Sequence, residues 1–350
     1  MIELWYGIVA FMLIMYVLLD GRNFGAGVVH LLVARAPDER RQVIAAVGPL
    51  WIWHETWIVA FGGTLLVAFP KLLAAAFSGY YLALFLILWC LAFRGIALEA
   101  GGHIPDRMWQ SFWDVVFTVS NYLLALLFGV ALGNLSRGVP VTAGGAFSMT
   151  FFTDLTPFSP QGRVGLLDWY TLSMALVVLV FLAAHGATYL AFRTQGPVHD
   201  RSVTLMRRLW AGLPVLFLLI GFETWLVRPQ LVDAFLLHPL AWFFSLVVAV
   251  GAAMIFIGLR RADDKICFFG SGTLLVGLLA AGAATIYPTI LYSTVNENNS
   301  LTAQNTAATP ASLELALLWW PFAGLLAFAY LWSIARFFSG KINANPNRPR

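Results

Sequence analysis

Apolar runs long enough to cross a bilayer recur from one end of this 350-residue chain to the other. At 1.5 Å per residue, about 20 apolar residues span the hydrocarbon core. Backbone N–H and C=O groups in lipid must bond to each other, and long apolar runs achieve this as helices. Spans are expected at about 3–20 (reaching toward Leu32), 53–70, 77–98, 113–133, 167–192, 209–227, 239–259, 266–287 and 315–337, roughly nine in all. Pro70, Pro140, Pro197, Pro239 and Pro288 mark several ends. The fold class is therefore an all-α polytopic membrane protein.

Composition supports this. Hydrophobic residues make up 60% of the chain and charged residues 11%, whereas soluble domains carry roughly twice that charge. The formal net charge is +4, but the basic residues are sorted by loop, which makes a nucleic-acid patch the weaker explanation. Cys90 and Cys267 both lie in apolar spans and form no CxxC pair or disulfide framework. No metal-ligand spacing, P-loop, dinucleotide fingerprint or Ser/His/Asp set is present. The first run lacks a basic leader and a cleavage site, and reads as a retained helix.

The basic loops orient the bundle. One set holds Arg35, Arg40 and Arg41, then Arg107, then Arg193, Arg201, Arg207 and Arg208, then Arg260, Arg261 and Lys265, and finally Lys341, Arg348 and Arg350. The opposite set holds little beyond Lys71, Arg137, Arg163 and Arg228. The positive-inside rule then predicts an outside N-terminus and a cytoplasmic C-terminus. Residues 1–133 form a first four-helix bundle, 134–166 an outer loop and 167–287 a second four-helix bundle. Residues 288–314 form another outer loop, and 315–350 the ninth helix and a cytoplasmic tail. Neither loop alternates strongly enough to predict a sheet.

Charges inside apolar runs carry the functional signal, since each costs at least about 2.5–3.5 kcal/mol at mid-bilayer. Asp20, Glu55, Arg94, Glu99 and Asp114 come from four spans and fall on the same side of the first bundle. They read as a proton path or buried charge network, with Asn23, His54 and Trp57 as supporting groups and Arg22 alongside. The plainer alternative is a structural ion-pair network. His185, deep in its span and without a partner at ligand spacing, is expected to hydrogen-bond between helices. Glycines after Asp20 suit close helix packing.

Several of these segments, in order, carry a family resemblance: LDGRNFGAG (Leu19 to Gly27), GPLWIWHETW (Gly48 to Trp57), AFP then FSGYYL (Ala68 to Leu82), FRGIALE (Phe93 to Glu99), WD (Trp113, Asp114) and FGVALGNLSRGVP (Phe128 to Pro140). HGATYLA (His185 to Ala191) and the stretch from Tyr287 to Leu313 extend it over nearly the whole chain. Together they resemble subunit II of cytochrome bd-type quinol oxidases. The resemblance implies a bacterial or archaeal cell-membrane complex that oxidises quinol and reduces dioxygen to water. Haem b and haem d then belong to a partner, subunit I, and this chain holds neither haem nor metal nor any catalytic residue. Its implied work is to stabilise that partner and contribute to cytoplasmic proton uptake, with a bound quinone or lipid in some members. Where such chains commonly carry a second acid in the first motif, this one has Asn23, and where they commonly have Asp-Gly-Asn after GPLW, it has Ile52, Trp53 and His54. The path is therefore rerouted through the remaining acids or closed. A proton-coupled secondary transporter is the alternative function.

Overall fold

A computed structural model describes residues 1–152, 163–337 and 340–342. Arg348 and Arg350, like residues 153–162 of the first predicted outer loop, lie outside the described residues. The helices are α1 Ile2–Val33, α2 Pro37–Val47, α3 Trp51–Ala68, α4 Pro70–Gly79, α5 Tyr81–Ala100, α6 Arg107–Arg137, α7 Trp169–Arg193, α8 Pro197–Val227, α9 Pro229–Leu237, α10 Pro239–Arg261 and α11 Asp264–Ile286. Strands β1 Thr289–Leu291 and β2 Leu301–Thr302 follow, then α12 Ala303–Thr306 and α13 Pro310–Phe337. Among the described residues, eight helices are long and apolar enough to cross a membrane, or nine if α2 and α3, bent by 41°, form one broken span. The chain is a multi-pass helical membrane protein.

Local chemistry sets the helix ends. Pro37, Pro70, Pro197, Pro229 and Pro239 each sit in the first turn of a helix, where a missing N–H leaves no bond unmade. Asp106, Asp168 and Asp263 cap α6, α7 and α11 by accepting from the backbone N–H groups of Trp109, Thr171 and Ile266. Pro70 does more than end the second span. It opens the separate helix α4, so the next crossing starts at Tyr81, later than the apolar run suggests.

Helix α1 runs through the middle of the packing, against α3, α6, α7 and α11. Lipid provides no hydrophobic drive between helices, so backbones must approach closely enough for dispersion to hold them. At the α1–α7 crossing Gly25 meets Gly186: a Cβ added at Gly25 would fall 2.7 Å from the Gly186 nitrogen and overlap the Leu182 carbonyl. Glycine is the residue type that permits this crossing.

At the end opposite the basic loops, the segment after α6 and the segment after α11 pack together. The Val139 N–H donates to Tyr292 O (2.9 Å), the Thr294 N–H to Val139 O (3.0 Å), and β1 pairs antiparallel with β2. They cover an apolar cluster that includes Trp5, Phe69, Val139 and Leu313. Arg137, 1% exposed, donates to Asn134 and the Gly165 carbonyl and forms an ion pair with the capping Asp168. The paired strands are an addition to the sequence reading, because three residues offer too short a period to detect.

Candidate functional site

Asp20, Asn23, Gly27 and His30 recur along α1 at three- and four-residue intervals, and the polar ones meet side chains of neighbouring helices. Asp20 is fully buried, as is Arg94 from α5. Arg94 Nη2 donates to Asp20 Oδ2 at 2.9 Å and to Glu55 Oε1, from α3, at 2.5 Å. One guanidinium thus bridges two carboxylates on two other helices. Its face lies 4.5 Å over the Phe24 ring, which holds the cation in a low-dielectric setting. The Glu55 side chain is 23% exposed at the edge of the cluster, so this carboxylate is the one that opens outward.

A second tier continues from Asp20. Asn23 Nδ2 donates to Asp20 Oδ1 (2.9 Å) and lies 2.6 Å from His54 Nδ1. Arg22 Nη2 is 3.0 Å from His54 Nε2, and its guanidinium lies 5.0 Å over the Tyr189 ring. His54 is thereby held between an amide and a cation. Two guanidiniums face two carboxylates in this assembly, so their formal charges balance, and burial of the group is tolerable only for that reason. Although His54 and Glu55 are sequence neighbours on different helical faces, the long Arg22 and Arg94 side chains reach both.

Not every predicted residue joins. Asp114, from α6, lies instead 3.1 Å from His30 Nε2 and accepts from Arg40 Nη1 (3.2 Å), nearer the basic end. Glu99 is exposed and accepts from Trp51 Nε1 at 3.2 Å. Trp57 is buried and packs edge-on against Phe11, at 6.2 Å between centroids. The five ionisable side chains thus separate into an Asp20–Arg94–Glu55 cluster, an Asp114 cluster and a solitary Glu99. His30 and Arg40 are functional-site neighbours that sequence reasoning missed. The signal was present: Asp20, Asn23, Gly27 and His30 lie within an arc of about 80° on one helix.

The remaining membrane histidine behaves as its isolation suggests. His185 Nδ1 is 2.8 Å from Ser271 Oγ, linking α7 to α11, and its ring stacks on Phe268 at 5.9 Å. His30 Nε2 lies 3.1 Å from Asp114 Oδ1, and His54 sits between Asn23 and Arg22, so each of the three imidazoles has a polar neighbour on another helix.

This is the architecture of a polytopic membrane subunit built around a buried ion network. The family profile for cytochrome bd terminal oxidase subunit II matches residues 1–338. The cytochrome bd-I ubiquinol oxidase subunit 2 of Escherichia coli (strain K12) is 29% identical, covering 91% of this chain and 88% of that protein. A probable cytochrome oxidase subunit 2 of Haemophilus influenzae is 26% identical over 98% of this chain and 95% of its own length. The cytochrome bd ubiquinol oxidase subunit 2 of Bacillus subtilis (strain 168) is 25% identical, covering 89% of this chain and 88% of that protein. The bd oxidase structure from Geobacillus thermodenitrificans shares the fold with a TM-score of 0.72 at 17% identity, over 96% of this chain and 98% of that one. The chain belongs to the cytochrome bd terminal oxidase subunit II family. It is a membrane subunit of an oxidoreductase complex.

Proposed function

We propose that this subunit supports a haem-bearing subunit I and delivers protons toward it through the buried network centred on Arg94. In this reading the complex takes electrons from quinol and passes them to dioxygen, with haem b and haem d in the partner. The N-terminus faces outward and the basic loops face the cytoplasm, which places Glu55 and Asp20 in the inward half of the bilayer. The two sets of four spans, 1–133 and 167–287, pack on each other through α1, α6 and α7, with the ninth helix after them. A quinone or lipid held by this subunit would lie on its apolar outer face.

The observation that carries this reading is the two-carboxylate bridge of Arg94. A lone charge pair would suffice to tie α1 to α5, yet a second acid is recruited from α3 and left partly open. Extra ionisable groups at membrane depth are expensive, so their retention favours a role in charge movement over packing. The chemistry required is modest: Asp20 and Glu55 carry the proton, Arg94 holds both carboxylates in place, Glu55 exchanges the proton at its open oxygen, and the Asn23 amide orients Asp20.

The test is Glu55→Gln in the intact complex. The amide keeps the shape and one hydrogen bond but carries no proton. Oxygen uptake should fall about tenfold, the low end of what a positioned proton-transfer group supplies, while the visible haem spectrum is unchanged. A lost spectrum would show instead that Glu55 holds the assembly together. Unchanged uptake would end the relay reading.

A further inference from the structure

The geometry points to a second proton station, His30 with Asp114 and Arg40, that collects protons at the basic end and feeds the Arg94 network along one face of α1. It rests on the relay reading above and adds its point of entry.

Position comes first. Asn23, Gly27 and His30 follow Asp20 at intervals of three, four and three residues. At 1.5 Å per residue, His30 lies about 10 Å along the axis from Asn23. His30 is fully buried, while the Asp114 side chain keeps 14% exposure and that of Arg40 28%. The station therefore has a wet edge and a dry end. Asp114 takes a proton from the water at the basic end and passes it to His30 Nε2, and the ring releases the hydrogen carried on Nδ1 toward Asn121. An imidazole passes a proton from one nitrogen to the other, which suits it to a position between two phases.

The link is Asn121 of α6. A Cβ at Gly27 would fall 2.7 Å from the Asn121 Cβ and overlap its amide, so the missing side chain on α1 makes room for an amide midway between the two stations. Asn121 Nδ2 is satisfied by Phe117 O at 2.7 Å. By contrast, Asn121 Oδ1, His30 Nδ1 and Asn23 Oδ1 are buried with no hydrogen-bond partner among the described residues. Three such atoms along one face favour bridging water, since buried water takes its bonds from otherwise unsatisfied polar groups. The amides position; the carriers are Asp114, His30 and the acids of the Arg94 network. One proton enters at Asp114 and one leaves at Asp20, with no change of oxidation state. The charged groups facing His30 from neighbouring helices are Asp114 and Arg40, and the Arg201–Glu39 pair clasps the same end of α1.

The test is the pH dependence of oxygen uptake by the purified complex carrying His30→Gln, Asn121→Leu or Asp114→Asn, beside Glu55→Gln. Where proton collection limits the rate, uptake should fall by about tenfold near pH 8 and by much less near pH 6, because bulk protons are then more plentiful. Asp114→Glu should restore the profile. A merely structural role would lower uptake evenly across pH, and that result overturns the proposal. If His30→Gln prevents assembly, Asp114→Asn at the wet edge decides the matter alone. Normal uptake in these variants with slow uptake in Glu55→Gln removes the entry station and leaves the buried network standing. Normal uptake in all four removes both.

Discussion

Replacing Arg94 by methionine should abolish the assembled complex, read as loss of the haem spectrum in purified membranes. The guanidinium is fully buried and is the bridge between Asp20 and Glu55. Without it, two carboxylates face each other at membrane depth with no cation bonded to either. Removing one partner of a buried ion pair costs about 3–5 kcal/mol, because the charge left behind remains desolvated. Here two charges are left, with the Asn23 amide still donating to Asp20. The decisive control is the triple variant Asp20→Asn, Glu55→Gln, Arg94→Met. Removing the whole network removes the desolvation cost together with the attraction, so assembly should return in large part. Oxygen uptake should not return, because the proton carriers are gone. A triple variant with normal uptake would show that the cluster is structural, and a single Arg94→Met variant with a normal spectrum would show that the bridge contributes little. The three effects will not add, since all three residues share bonds.

The second large effect is expected at the α1–α7 crossing. Gly186→Leu should prevent folding of the subunit, with no mature complex recovered. An added Cβ there would overlap the backbone of Gly25 and Ala26, not the mobile end of a side chain. Overpacking by a few methylenes commonly costs about 1–3 kcal/mol when neighbours can yield. Backbone in the middle of a helix cannot yield without parting the two helices, and dispersion between them falls steeply with separation. Gly62→Leu is the matched control: nothing lies within 4 Å of its added Cβ, so the leucine meets open space and the complex should form. Equal recovery of the two variants would refute the close-packing account. The same crossing places Asp20 and Asn23 of α1, so its loss would scatter the site as well.

Much of the site could be named from the chain alone, for a thermodynamic reason. Asp20, Glu55 and Arg94 stood out because charge is rare inside apolar spans, and the structure bonds the three together. Glu99 stood out equally but turned elsewhere. It is five residues from Arg94, which rotates it about 140° around α5 at 3.6 residues per turn. Its carboxylate meets the Trp51 indole. Asp114 stands apart from the Arg94 cluster, because the cation that reaches it is Arg40 of α2, a helix too polar to register as a span. His54, grouped with Asn23 and Arg22 from the sequence, lies within bonding distance of both.

By itself the sequence determined that the chain lives in a membrane, that it crosses as helices, and which few side chains carry charge there. Those conclusions follow from transfer free energies, which are sums over residues and need no knowledge of neighbours. Tertiary structure alone decided which acid pairs with which base, that Gly25 meets Gly186, and that the loops after α6 and α11 join in a common cap. Pairings of that kind depend on the rotation of each helix about its axis and on how closely backbones approach. Both are set by packing between segments more than a hundred residues apart, such as Gly25 and Gly186, and neither is written in any local stretch of the chain.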